Sequence, residues 1–196
     1  MINERQSDEQ LWNALREGDQ DAFSALYQRF YATLYSYGYK VADNVTLVED
    51  AIQDLFVDLW RMRRSVSGAE SVKFYLFRSL RRKIHVLSKK EDGWHFGDTE
   101  TQAAPESYSA EHPLMQEEEQ SQLIERITYA LAKLPLRQQE VIALRFYQGF
   151  KNEEIARIMG ITEKSVRNTL HKALSHLREQ APFLAPLLGF LLWWFS

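Results

Sequence analysis

Apolar positions in the first ninety residues fall into three runs that return every three or four residues, with polar residues between them. They are Leu11, Leu15, Phe23, Leu26, Phe30, Leu34 and Tyr37; then Val48, Ile52, Leu55, Phe56 and Leu59; then Val72, Tyr75, Leu76, Leu80 and Ile84. That period lays one apolar face along each segment, so each run predicts amphipathic helix. Runs alternating at period two are few, and no Asn-Gly or Asp-Gly turn joins a pair of them, so strands are not expected. The class these patterns imply is all-α.

A second pattern occupies Lys151 to Arg178, KNEEIARIMGITEKSVRNTLHKALSHLR, where two apolar-periodic segments hinge on Gly-Ile-Thr. Asn152 is expected to cap the first, whose Glu153 and Glu154 suit the positive end of a helix dipole. Ile155, Ala156 and Met159 make its buried side. Gly160 supplies the left-handed residue that ends it, and Thr162 caps the next. The second segment sets Val166, Leu170, Ala173, Leu174 and Leu177 on one side. Lys164, Ser165, Arg167, Asn168, His171, Lys172 and Arg178 lie on the other. A donor-rich helix after a three-residue turn is what a major groove accepts: cations for phosphates, Arg and Asn for guanine and adenine edges. The same pattern also fits a helical hairpin that only closes a core, with its charged face solvated.

Net charge changes the picture only when resolved along the chain, where the total of −3 hides large local imbalances. Residues 1–60 carry 4 Lys/Arg and 11 Asp/Glu, whereas residues 61–90 carry 10 Lys/Arg and a single acid, Glu70. Residues 91–125 carry no Lys or Arg and 10 Asp/Glu, and residues 126–178 carry 10 Lys/Arg and 4 Asp/Glu. Two basic zones flank an acidic one, an asymmetry that steers polyanions to particular surfaces.

Segment 91–119, EDGWHFGDTETQAAPESYSAEHPLMQEEE, mixes Gly, Pro, Ser and Thr with scattered aromatics and holds no period, so it reads as a linker. The domain map is then two small helical domains, 1–90 and 125–180, joined by an acidic linker at 91–124 and followed by an apolar tail at 181–196. The tail, APFLAPLLGFLLWWFS, is broken by Pro182, Pro186 and Gly189 and is shorter than the ~20 apolar residues that span a bilayer. Packing across the second domain, docking in a partner's groove and shallow membrane contact all fit it.

Catalytic chemistry finds no motif. There is no GxxxxGK loop, no cysteine, and His85, His95, His112, His171 and His176 form no HExxH or comparable set. No cofactor, metal or small-molecule substrate is expected, and His171 and His176 are expected on a DNA-facing or solvated side. The lack of cysteine and the polar start MINERQSDEQ fit the cytoplasm.

The stretch LAKLPLRQQEVIALRFYQGFKNEEIARIMGITEKSVRNTLHKALSHLRE resembles region 4 of bacterial RNA polymerase sigma factors. Leu134, Pro135, Glu140, Val141, Arg145, Gly149, Glu154, Ile155, Ala156, Gly160, Val166, Arg167, Ala173, Leu174, Leu177 and Arg178 stand where that pattern wants them. Output domains of response regulators share much of this helix-turn-helix, so the C-terminal half alone does not decide. DAFSALYQRFYATLYSYGYK, VEDAIQDLFVDLW and VKFYLFRSLRRKIHVLSKK, in that order, look like region 2 of extracytoplasmic-function sigma factors. No receiver pattern is present, and the resemblance covers about residues 8–90 and 125–179.

The resemblance implies a factor that binds core RNA polymerase and directs promoter recognition; the alternative is a stand-alone helix-turn-helix regulator. Its implied partners are the β′ clamp helices and β flap of core polymerase, promoter DNA and an anti-sigma factor. Asp50, Gln53 and Asp54, with Phe56 as aromatic anchor, would dock the clamp helices, in keeping with interfaces built from aromatic anchors and charged surroundings. Arg63, Arg64, Lys73, Arg78, Arg81 and Arg82 would hold the minus-ten element, with Phe74, Tyr75 and Phe77 beside an unstacked base and loop 61–70 around a flipped one. Lys164, Ser165, Arg167, Asn168, His171 and Lys172 would meet upstream DNA. Many relatives carry asparagine near Arg82 and Val86, so base preference there does not transfer. By spacing alone, Phe56, Trp60, Phe74, Tyr75 and Phe77 also fit an ordinary core.

Overall fold

The computed structural model describes residues 6–66, 71–90 and 117–180. Among them all regular structure is helical: α1 Asp8–Glu17, α2 Gln20–Ala42, α3 Val45–Met62, α4 Val72–Lys90, α5 Glu117–Ala132, α6 Leu136–Ile142, α7 Asn152–Met159 and α8 Glu163–Gln180. A π-helical turn, Ala143–Tyr147, continues α6. Helices α1 to α4 form one compact unit; α5, α6, the π-turn, α8 and the opening of α7, residues 152–156, fall in a second. Helix α5 begins inside the stretch expected to be linker, and residues 91–116 and the tail 181–196 lie outside the described residues.

The first apolar run becomes two helices. Gly18 adopts a φ of 100°, a left-handed conformation open to glycine at little cost, and its N–H donates to the carbonyls of Ala14 and Leu15 to close α1. Asp19 then caps α2 by accepting from the N–H groups of Asp21 and Ala22. A reciprocal cap opens α1: Ser7 Oγ accepts from the Gln10 N–H at 3.2 Å, and Gln10 Oε1 accepts from the Ser7 N–H at 2.9 Å.

Helix α2 packs against α1, α3 and α4, burying Leu26, Phe30, Leu34 and Tyr37. One residue the apolar period does not reveal sets that packing. A Cβ on Gly38 would lie 2.7 Å from Val48 Cγ1 and 3.3 Å from Ile84 Cδ1, so three helices converge on a position with no room for a methyl. Val48 is β-branched and stiff at χ1, so its methyl cannot swing away. Gly38→Ala gains about 0.8–1.0 kcal/mol of helix propensity but loses about 1–3 kcal/mol to overpacking. The expected outcome is net destabilisation of the first unit by about 1 kcal/mol, read from denaturant unfolding.

In the second unit α6 packs on α8, burying Val141, Ile142, Val166, Leu170, Ala173 and Leu174. Gln139 Nε2 donates to the carbonyls of Ala132 and Leu134 at 3.1 and 2.7 Å, satisfying the end of α5. Arg145 Nη1 donates to the Phe150 carbonyl at 2.9 Å and braces the turn after the π-segment. The expected cap at Asn152 is displaced by one residue. The Lys151 carbonyl accepts from the Ile155 N–H at 2.9 Å, and Glu154 Oε2 accepts from the Lys151 N–H at 2.8 Å, so Lys151 is the capping position. Asn152 Oδ1 is instead buried with no hydrogen-bond partner. Gly160 does turn left-handed, at φ 66°, and Thr162 Oγ1 accepts from the Ser165 N–H at 3.1 Å to open α8.

Candidate polymerase and DNA interfaces

Asn44 starts α3 by accepting from the Leu47 N–H at 3.0 Å, which fixes the phase of the helix. Leu47, Val48, Ala51, Ile52, Leu55 and Leu59 turn inward, while Glu49, Asp50, Gln53 and Asp54 are exposed together on the outer side. Phe56 does not join them. It is 2% exposed, its ring 5.9 Å from Phe23 and 5.0 Å from Tyr27, because its place four residues after Ile52 puts it on the stripe that α2 covers. It supports the acidic face from beneath, and Trp60 lies half-buried 5.2 Å from Phe23.

Arg63 is likewise drawn into the protein. Its Nη1 donates to the Trp60 carbonyl at 2.7 Å and its guanidinium sits 4.3 Å from the Trp60 ring, so it finishes α3 by satisfying a terminal carbonyl. Arg64 beside it is exposed. Residues 67–70 of the loop expected to receive a flipped base lie outside the described residues.

On α4 the exposed cations are Arg78, Arg82 and Lys89. Arg81 and Lys73 are half-buried; the Lys73 ammonium lies 5.9 Å from the Phe77 ring, and burial lowers its pKa while Asp8 pulls it back up. Phe77 is core, 4.9 Å from Tyr37, and Tyr75 packs edge-on against Trp12 at 5.0 Å. Neither is set out for a base, whereas Phe74 is half-exposed. The potential on this helix is registered by His85, whose pKa is lowered first by burial and then by Lys89 and Arg81. A strand of phosphates would relieve that repulsion.

Helix α8 exposes Lys164, Arg167, Asn168, His171 and Lys172 along its first three turns. Ser165 is half-exposed, its hydroxyl accepting from Thr162 Oγ1 at 3.1 Å as part of the cap. Arg167 Nη1 lies 3.5 Å from Glu163 Oε2, an exposed pair that costs little to exchange for a nucleic-acid contact. His176 departs from expectation: its Nδ1 is 3.0 Å from Oε1 of the buried Gln138, so it ties α8 to α6. Among the described residues no group of three or more His, Asp or Glu is placed to hold a metal ion, and no helix is long and apolar enough to cross a membrane.

A feature absent from the expected sites lies on α2. Tyr27, Tyr31, Tyr35 and Tyr39 repeat every four residues, with successive ring centroids 5.3, 6.1 and 6.5 Å apart. The spacing is visible in the sequence, but its position along α3 is not.

Comparison with known proteins follows the same division into two units. The family described as "Sigma-70 region 2" matches residues 26–92, and that described as "Sigma-70, region 4" matches residues 124–177. The ECF RNA polymerase sigma factor SigX of Bacillus subtilis is 24% identical over 176 residues, covering 84% of this chain and 86% of SigX. The ECF RNA polymerase sigma factor SigL of Mycobacterium tuberculosis is 26% identical over 159 residues, covering 79% and 85%. In fold, the chain is similar to CnrH, solved in complex with the cytosolic domain of CnrY, with a TM-score of 0.57 and 23% identity over 88% of this chain and 95% of that one. It is also similar to the sigma factor RpoE in complex with the anti-sigma factor NepR from Bartonella quintana, with a TM-score of 0.55 and 20% identity over 81% and 95%. With regions 2 and 4 in order on one chain, the protein belongs to the extracytoplasmic-function sigma factors of the sigma-70 family, factors that direct transcription initiation.

Proposed function

We propose that this chain joins core RNA polymerase through the exposed acidic face of α3, against the clamp helices of β′. It carries the enzyme to promoters through α8 upstream and α4 at the minus-ten element. The observation that carries this reading is the separation of charge on the first unit: Glu49, Asp50 and Asp54 are exposed on α3, and Arg78, Arg82 and Lys89 on α4. Acids within a Debye length, about 8 Å at physiological salt, of a DNA-facing cation would repel the phosphates it should hold. Where the two helices meet, Lys83 Nζ pairs with Asp58 Oδ2 at 2.6 Å and neutralises the border.

The division of labour follows the two units. Residues 1–90 serve polymerase and minus-ten binding; residues 125–180 serve upstream DNA and the β flap; an anti-sigma factor is a further partner, by analogy with RpoE and NepR. The setting is the cytoplasm, where core polymerase works. Purified chain added to core polymerase on promoter-bearing templates should give transcripts with one start site, which neither component gives alone. A chain that bound DNA but neither captured core polymerase nor supported a transcript would be a stand-alone helix-turn-helix regulator instead.

A further inference from the structure

We propose that the uncharged segment after α8, residues 181–196, turns back over helix α5 and covers the part of its apolar stripe that α8 leaves open. The occupant of that stripe is then the chain itself. This cover stands apart from the docking of polymerase on α3 and of DNA on α4 and α8.

Helix α5 carries a wider stripe than its neighbours bury. Ile124, Ile127 and Leu131 stand at i, i+3 and i+7, so they share one face. Of residues 124–132 only Ala130 is buried; Ile127 and Leu131 are half-exposed and Ile124 is 63% exposed. A 16-residue helix that includes the β-branched Ile124, Ile127 and Thr128 is marginal in water by itself, so its stability comes from what lies on its face. Helix α8 packs on α5 and leaves that edge of the stripe open.

The chain leaves α8 beside this edge. His176 Nδ1 lies 3.0 Å from Oε1 of Gln138 on α6, about one turn before α8 ends at Gln180. Gln139 Nε2 reaches back from α6 to the carbonyls of Ala132 and Leu134, which close α5. The last turn of α8 therefore stands near the corner of α5 and α6, with Leu131 at that corner and Ile124 about 10 Å back along α5. Sixteen extended residues reach up to about 50 Å, so length does not limit the return. Pro182 and Pro186 lack the N–H that a continued helix would use, so the chain is free to turn aside.

The chemistry of the segment selects this site over two others. Residues 181–195 hold no charge and include five Leu, three Phe, Trp193 and Trp194, side chains that gain most by leaving water. A tether gives a face on the same unit an effective concentration in the millimolar range, which a second copy at lower concentration does not match. Shallow binding to a lipid surface draws on cations beside the apolar residues, but residues 175–180 offer Arg178 with Glu179 next to it.

Full-length variants test the contact from both sides. Leu188→Glu/Leu192→Glu charges the segment and alters no residue of the described fold. Ile124→Glu charges the stripe at an exposed position with a good helix former. Each should speed hydrogen exchange of the α5 amides at residues 124–132 about tenfold or more. All three changes together should speed it no further than either set alone, because both sets break one contact. The emission of Trp193 and Trp194, taken as the difference between the chain and its Trp193→Phe/Trp194→Phe variant, should move to the red in both variants. Exchange that stays at the wild-type rate when residues 188 and 192 are charged overturns the proposal. Effects of the two sets that simply add also overturn it, since they would be independent. So does protection that rises with protein concentration, which would assign the segment to a second copy. Wild-type emission that moves to the blue on adding phosphatidylcholine or phosphatidylglycerol vesicles would assign it to a lipid surface instead.

Discussion

Asp50→Lys combined with Asp54→Lys should lower affinity for core RNA polymerase by about 100-fold or more while leaving the helical circular dichroism unchanged. Both carboxylates are exposed on α3, so neither supports the core. Reversing a surface charge alters folding stability by at most about 1 kcal/mol. At an interface of complementary potential the same reversal replaces attraction by like-charge juxtaposition at two points, which costs several kcal/mol. Phe56 cannot serve as the test residue although it belongs to the same segment. It is 2% exposed, and truncating it would empty the space between Phe23 and Tyr27 and confuse lost folding with lost docking. Unchanged affinity of the double-lysine variant for core, in a direct binding measurement, would remove α3 from the interface.

The contrast between Asp50 and Phe56 shows what spacing conveys and what it does not. A 3.6-residue period identifies the buried stripe, and it located the cores of α2, α3, α4 and α8 because those stripes are wide and regular. It does not say where the stripe's edge falls. Phe56 sits at that edge, and it is covered because α2 lays Phe23 and Tyr27 over it, a tertiary fact. Arg63 belongs to the same class. A basic residue after a helix looks free for DNA, but Trp60 offers it both a ring and a helix-terminal carbonyl. His176 looked solvated until α6 brought Gln138 to it.

Local chemistry was more legible than tertiary edges. Gly160 and Thr162 each carry a conformational preference that acts within four residues, and both take the role their type implies. Gly18 and Asp19 carry the same signals, but the apolar run continues through them in sequence, so the break between α1 and α2 shows only in the structure. Gly38 is the opposite case. Nothing in its neighbours marks it, since its reason is the approach of Val48 and Ile84 from two other helices.

The recognition helix gives the second large effect. Lys164→Ala with Arg167→Ala should weaken upstream promoter binding by about 1–3 kcal/mol for each side chain that reads a base, and by less for one that reaches only phosphate. Both side chains are exposed within the first turn and a half of α8, where an N-terminal approach to the major groove would place them. The pair between Arg167 and Glu163, at 3.5 Å with both groups in solvent, is too weak to hold the guanidinium back, worth about 0.3–0.5 kcal/mol. Salt titration separates the two kinds of contact. Each phosphate contact removed should shallow the slope of log affinity against log salt by about 0.9 and weaken all sequences alike. Each base contact removed should leave the slope and flatten the preference at one position. Thr162 and Ser165 hold the turn through its cap, so neither alanine should disturb the fold of the second unit. If both single variants and the double variant bind the promoter as the wild type does at every salt concentration, a different face of the second unit meets the DNA.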